Sequence, residues 1–186
     1  MPSVFCKVNG KHVPLYREKK IGGDAMSLFG NDEFQWRETY FVLFRNGDRP
    51  PVDDVVDALT ADDRRFQVHH VRQDNAGRLE SLTLMSPDDF AGMDISYVTG
   101  EEVTEQVEET RAEMAKATLT AEDREKLAEL GECDARFDIF HFEQVTPLDD
   151  GEDEEILDPG ALLIVIEKLC LLCNGVGIDP QSGSLM

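Results

Sequence analysis

The chain has 186 residues, of which 41% are hydrophobic and 31% are charged, and these proportions are typical of a folded protein rather than a disordered one. Lys and Arg number 18 against 39 Asp and Glu, which leaves a net charge of −21. Since phosphate contacts require clustered Lys and Arg side chains, this balance argues against direct binding of nucleic acid. The length predicts one domain over residues 1–186.

The charges are unevenly distributed along the chain. Residues 1–23 contain five basic side chains and one acidic side chain, a net charge of +4, so the remaining residues carry −25. One interpretation is a general acidic bias of the source proteome, as in a salt-tolerant bacterium, because net charge affects solubility and association rather than fold. The alternative is an acidic face that binds a basic protein partner, up to mimicry of a phosphate backbone.

The N-terminal residues predict a β-hairpin. Residues 4–8 and 11–15 are strand-like, and Asn9-Gly10 between them is the pair that best adopts a type I′ turn. Residues 39–44 are apolar on both faces, which indicates a central strand.

Apolar periodicity and turn residues predict the later elements. The predicted helices cover residues 52–59, 101–117, 121–130 and 161–173. The predicted strands cover residues 66–72, 79–85, 95–98 and 135–145, and a short strand follows from residue 176. We expect the second of these helices to begin with a capping box formed by Thr99 and Glu102.

The order of these elements predicts the α+β class. We expect a mixed or mostly antiparallel sheet with helices packed on one face, and a ferredoxin-like core with an N-terminal hairpin addition. Residues 1–36, which hold the hairpin and a polar loop, would form an appendage to this single domain. Residues 149–157 are mostly acidic and would form a surface loop.

The last predicted helix, residues 161–173, is apolar on every side except at Glu167 and Lys168. We therefore expect it to lie in the core or in an interface, and a homodimer formed through it is one arrangement that fits. It is too short to span a bilayer, which takes about 20 residues. With no signal peptide in the sequence, we expect a cytoplasmic protein with no membrane partner, in which the four cysteines are reduced.

Cys170 and Cys173 have the C-x-x-C spacing of redox and zinc sites. However, the pair lies at the C-terminal end of the last predicted helix, where the helix dipole opposes a thiolate. A zinc site would need two further ligands, and the sequence holds no second pair of this spacing. We interpret both cysteines as core residues, and we expect no metal ion and no cofactor.

His70, His141 and Glu143 are the candidate ligand-binding residues. Successive side chains of a strand face opposite sides, so His141 and Glu143 share a face. If the strands that carry His70 and His141 are neighbours, the three side chains converge on one acid/base or ligand-binding cluster. Three further side chains would complete such a pocket: Asp138, Trp36 and Tyr40.

These observations leave two functional hypotheses. The first is a non-catalytic, acidic interaction or regulatory protein, of the immunity or antitoxin kind, that binds a basic partner. The sequence contains no G-x-S-x-G or H-E-x-x-H motif, which favours this hypothesis over an enzyme. The second is a small-molecule-binding protein or enzyme whose pocket uses His70, His141 and Glu143.

Overall fold

A computed structural model gives the fold and describes residues 5–8, 11–14, 28–30, 33–61, 65–116, 120–145 and 160–186. The strands are β1 (Phe5–Val8), β2 (Lys11–Pro14), β3 (Phe34–Phe44), β4 (Gln67–Gln73), β5 (Leu79–Ser86), β6 (Ala91–Thr99), β7 (Ala135–Gln144), β8 (Val176–Asp179) and β9 (Ser184–Leu185). The helices are α1 (Val52–Thr60), α2 (Glu101–Met114), α3 (Ala121–Leu130) and α4 (Gly160–Cys173).

Strands β3 to β9 form one seven-stranded sheet in the order β4-β5-β6-β7-β3-β8-β9, and all neighbours in it are antiparallel. The predicted α+β class and antiparallel sheet are therefore confirmed. The ferredoxin-like core is not confirmed. In a split β-α-β unit one strand separates the two strands that flank a helix, whereas three strands separate β3 from β4, which flank α1. The strands β5, β6 and β7 occupy that space, because β4, β5 and β6 pair in sequence as a meander and β7 pairs with both β6 and β3.

The strand β3 shows that helices cover both faces of the sheet. Val42 and Phe44 lie in an apolar cluster with residues of α1 and α4, while Leu43 lies in a second cluster with residues of α2, α3 and β8. Successive side chains of a strand point to opposite faces, so α1 and α4 pack on one face and α2 and α3 on the other. The expectation that the helices pack on one face is corrected accordingly.

The strands β1 and β2 form a separate two-stranded sheet. Val8 lies opposite Lys11, the register expected when two residues join the strands. The predicted hairpin strands are confirmed, although the turn residues 9 and 10 lie outside the described residues. The predicted acidic loop at 149–157 lies outside them as well.

The helices α2 and α3 begin in different ways. At α3, Thr120 Oγ1 accepts a hydrogen bond from the Asp123 backbone N–H at 3.1 Å, and the Asp123 carboxylate accepts one from the Thr120 N–H at 3.0 Å. At α2 the N-cap is Gly100, which has φ of 120°. The capping box expected at Thr99 is wrong, because Thr99 still belongs to β6 and its hydroxyl donates to the Asp134 carbonyl at 2.9 Å.

The helix α4 is buried along one side only. Its inner residues are almost inaccessible: Ala161, Leu162, Val165, Ile166, Leu169 and Cys173. On its outer side Leu163 is 45% exposed and Leu171 is 74% exposed. The expectation that this helix lies in the core therefore holds for its inner side only, since α4 covers the sheet as an outer layer. Among the described residues, no helix combines the length and apolar content that crossing a bilayer requires.

Candidate functional site

The sheet order separates the predicted site residues. His141 and Glu143 lie on β7 and His70 lies on β4, with β5 and β6 between them. Three strand spacings amount to about 14 Å, so His70 is beyond hydrogen-bonding reach of His141. His70 is also exposed and has φ of 48°, at an irregularity in the β4–β5 register. The structure thus brings together His141 and Glu143 but not His70.

His141 instead faces Glu38, its partner on β3. The distance from His141 Nδ1 to Glu38 Oε1 is 3.6 Å, and Nδ1 is buried with no hydrogen-bond partner. Burial lowers the pKa of His141 and outweighs the carboxylates of Glu38 and Glu143, which act in the opposite direction. Glu143 forms an ion pair with Arg37. Because its pKa is lowered, the imidazole is neutral at physiological pH although it lies between two carboxylates.

Tyr40 completes this cluster on the same face. Burial is the main cause of a raised pKa of Tyr40, and Glu38 and Asp179 add to it. The phenol therefore stays protonated at physiological pH. With a neutral imidazole and a protonated phenol at neutral pH, we interpret the cluster as a structural one, whose member Tyr40 belongs to the main core.

The two other predicted pocket residues point elsewhere. Asp138 forms an ion pair with Arg136 at 2.5 Å and, as an even-numbered residue of β7, faces away from His141. The Trp36 indole N–H donates to Thr39 Oγ1 at 3.4 Å. Within the described ranges, no three His, Cys, Asp or Glu side chains are arranged to hold a metal ion.

A groove of about 790 Å³ lies elsewhere, along the outer side of α4. It extends from α4 to the turn after β3, the end of α3 and the C-terminal residue. Its lining residues are Arg45, Asp48, Glu129, Cys133, Leu163, Ile166, Glu167, Cys170, Leu171, Asn174, Gly175 and Met186. The α4 residues are mostly apolar, so the groove has an apolar side formed by this helix.

Carboxylates dominate the charge of the groove. Three acidic residues, Asp48, Glu129 and Glu167, line it against the single basic residue Arg45. Arg45 forms an ion pair with Glu132, which is exposed nearby. In the described part of the chain no ion pair joins Asp48, Glu129 or Glu167 to a cation. The groove therefore combines an apolar surface with unneutralised negative charge.

Burial favours the protonated form of the two thiols that line the groove, Cys133 and Cys170. Burial raises the pKa of both Cys133 and Cys170 to about 11, and Cys173 is fully buried with its thiol donating to the Leu169 carbonyl at 2.9 Å. A redox-active cysteine needs the opposite shift, toward a thiolate at neutral pH. The C-x-x-C spacing here belongs to the packing of α4.

Sequence reasoning missed the groove because α4 lacks a polar face that would mark its outer side. One signal was available: Leu163, Glu167 and Leu171 recur every four residues and so form one stripe on a helix. The single acidic residue of α4 lies in the middle of that stripe. It marks the side that faces water.

No known protein family, no curated protein and no solved structure matches the chain.

Proposed function

We propose that the chain is a non-catalytic binding protein whose groove along α4 receives a basic segment of a partner protein. The observation that carries the proposal is the exposed leucine pair of α4, Leu163 and Leu171, beside a groove lined by unpaired carboxylates. Apolar side chains bordered by polar ones are typical of interaction surfaces. The negative charge selects the partner, because complementary charge speeds encounter and excludes acidic competitors.

The exposure of Leu171 favours a macromolecular partner over a small ligand. This side chain is 74% exposed, so it stands at the mouth of the groove rather than inside it. A small molecule is largely enclosed by its pocket and would leave Leu171 in water. A protein segment laid over α4 would cover Leu163, Leu171 and the groove together.

The charge of the chain favours a different protein over a second copy. Two chains that each carry −21 repel one another, and the groove supplies one cation against three carboxylates. A homodimer through α4 remains the arrangement to exclude. We place the protein among acidic regulators that bind and neutralise a basic client, as immunity proteins and antitoxins do. The free thiols of Cys133, Cys170 and Cys173 support a cytoplasmic setting.

The proposal is tested by comparing what three forms of the full chain retain from a lysate of the source organism. The forms are the wild type, a groove variant with Leu163→Ser and Leu171→Ser, and a control variant with Val71→Ser and Phe90→Ser. The control residues are 41% and 45% exposed and lie outside the groove. We expect the wild type and the control to retain basic proteins at about 0.05 M salt and to release them at about 0.5 M salt.

The decisive result is the loss of those proteins from the groove variant alone. If the groove variant retains the same proteins as the wild type, or if the wild type retains nothing that the variant loses, the proposal is wrong. Sedimentation of the purified wild type separates the homodimer, which would give a dimer mass that the groove variant lacks.

A small ligand in the groove is the second candidate, because about 790 Å³ falls within the usual range of ligand pockets. The predicted pocket at His70, His141 and Glu143 has less support, since β5 and β6 separate its members. A thermal-shift screen of metabolites tests whether the groove binds a small ligand, because a ligand specific for the native state raises Tm. A shift that the Leu163→Ser and Leu171→Ser variant loses would favour the small ligand.

A further inference from the structure

We infer that the partner segment binds the groove as an amphipathic α-helix, with one apolar seam and Lys or Arg side chains on both sides of that seam. The inference rests on the proposed function and specifies its partner. It follows from the arrangement of side chains along α4 and from the positions of the groove carboxylates.

The outer side of α4 has rows of side chains against which a second helix can pack. Leu163, Glu167 and Leu171 form one row with four-residue spacing, and the half-buried Cys170 lies beside it. Rows of this spacing are the ridges and grooves through which helices most often pack. Leu163 and Leu171 are eight residues apart, a rise of about 12 Å, which matches about two turns of a partner helix.

A helical segment also meets its own hydrogen-bonding needs. The groove is lined mainly by side chains of α4 and of the turns beside it, and among the lining residues only Met186 adjoins an edge strand, the two-residue β9. An extended segment would leave backbone N–H and C=O groups without partners against these leucines, which is costly. In a helix those groups bond to one another, so only its side chains need to match the groove.

The carboxylates then fix where the partner's cations lie. Glu167 is on α4 itself, whereas Glu129 is on α3 and Asp48 is in the turn after β3. A helix that presses its apolar seam on Leu163 and Leu171 meets Glu167 between these leucines, and Glu129 and Asp48 on the other elements that line the groove. We therefore expect basic residues that flank the seam, rather than a basic cluster at one end.

The test uses three synthetic peptides of about 18 residues, of which peptides A and B have identical Leu, Lys and Ala content. Peptide A has leucines at i, i+3, i+4 and i+7 flanked by lysines, and peptide B has the leucines at alternate positions. Peptide C is peptide A with a central proline, which breaks the helix. Each is titrated into the full chain by calorimetry, and circular dichroism reports the helix content of the bound peptide.

We expect peptide A to bind at least roughly tenfold tighter than peptides B and C, a difference that corresponds to one strong contact, and to gain helix on binding. Glu167→Lys should weaken peptide A roughly fivefold to tenfold. The matched control is Glu105→Lys on α2, an exposed glutamate outside the groove with the same change in net charge. That control should bind peptide A like the wild type.

Two outcomes overturn the inference and are distinguishable from each other. If peptides B or C bind as tightly as peptide A while Glu167→Lys still weakens them all, the partner is not helical but the groove still binds basic chains, so the proposed function stands. If Glu167→Lys and Glu105→Lys weaken every peptide equally, binding is non-specific attraction to an acidic protein, and both proposals fall.

Discussion

Two leucines of α4 provide a matched test of which side of this helix faces water. Leu169 is 0% exposed and lies in the main core, whereas Leu171, two residues along the same helix, is 74% exposed. Leu169→Ala removes a fully buried side chain, and such changes cost about 2.7–5.0 kcal/mol. Leu171→Ala removes little buried area and places the best helix former on the surface, so its cost should stay within about 0.5 kcal/mol.

Urea unfolding measures both free energies. The helix signal in circular dichroism and the fluorescence of Trp36, the single tryptophan of the chain, should give coincident transitions and a common slope. A cost above about 1.5 kcal/mol for Leu171→Ala would show that this side chain is buried in solution and would refute the orientation of α4. If that cost rose with protein concentration, the burying surface would be a second copy.

Three further outcomes follow from the packing. A Cβ atom at Gly92 would lie 2.2 Å from Phe29 Cε1, so Gly92→Ala should displace this buried ring at a cost of about 2–3 kcal/mol. In a Phe29→Ala background, urea unfolding should show almost no cost of Gly92→Ala. Additive costs of the two substitutions would contradict the contact. Because burial lowers the pKa of His141 below its ordinary 6.5, the unfolded chain binds that proton first, and the free energy of unfolding should fall as pH drops through 6.5. Urea titrations at several pH values should show that the free energy of unfolding depends less steeply on pH in His141→Gln than in the wild type. Equal slopes would contradict the lowered pKa of His141. Burial raises the pKa of Cys170 from 9.0 to about 11, and the thiolate is the reactive form. Alkylation of Cys170 at pH 8, followed by mass spectrometry, should therefore be roughly 100-fold slower in the folded chain than in urea. Equal rates in the two states would contradict the burial of this thiol.

The sequence identified most strands and helices because their signals are local. Alternating or helical apolar spacing, Pro51 before α1 and Thr120 before α3 act within a few residues. The layer arrangement was missed although its signal was present. Residues of β3 are apolar at successive positions, Val42 to Phe44, and such a strand needs apolar cover on both faces. Helices on one face alone would have left Leu43 in water.

The sheet order could not be read in the same way, because it depends on pairs far apart in the chain. The central strand β3 pairs with β7 about 100 residues later, and no turn residue marks that pairing. The convergence of His70 and His141 required β4 beside β7. The short connections of the meander instead place β5 and β6 between them, and sequential hairpin pairing was the better expectation for strands so close in sequence.

The helix α4 illustrates why the candidate groove needed the structure. A helix that is apolar on nearly all sides has no polar stripe to mark its outer surface, so its sequence is equally compatible with a core, a dimer and a partner site. Packing decides the matter: Leu169 lies against the sheet, and Leu163 and Leu171 do not. A chain of net charge −21 resists covering those leucines with a second copy of itself. The free energy gained by burying them is available most readily to a partner that also brings positive charge to Glu167.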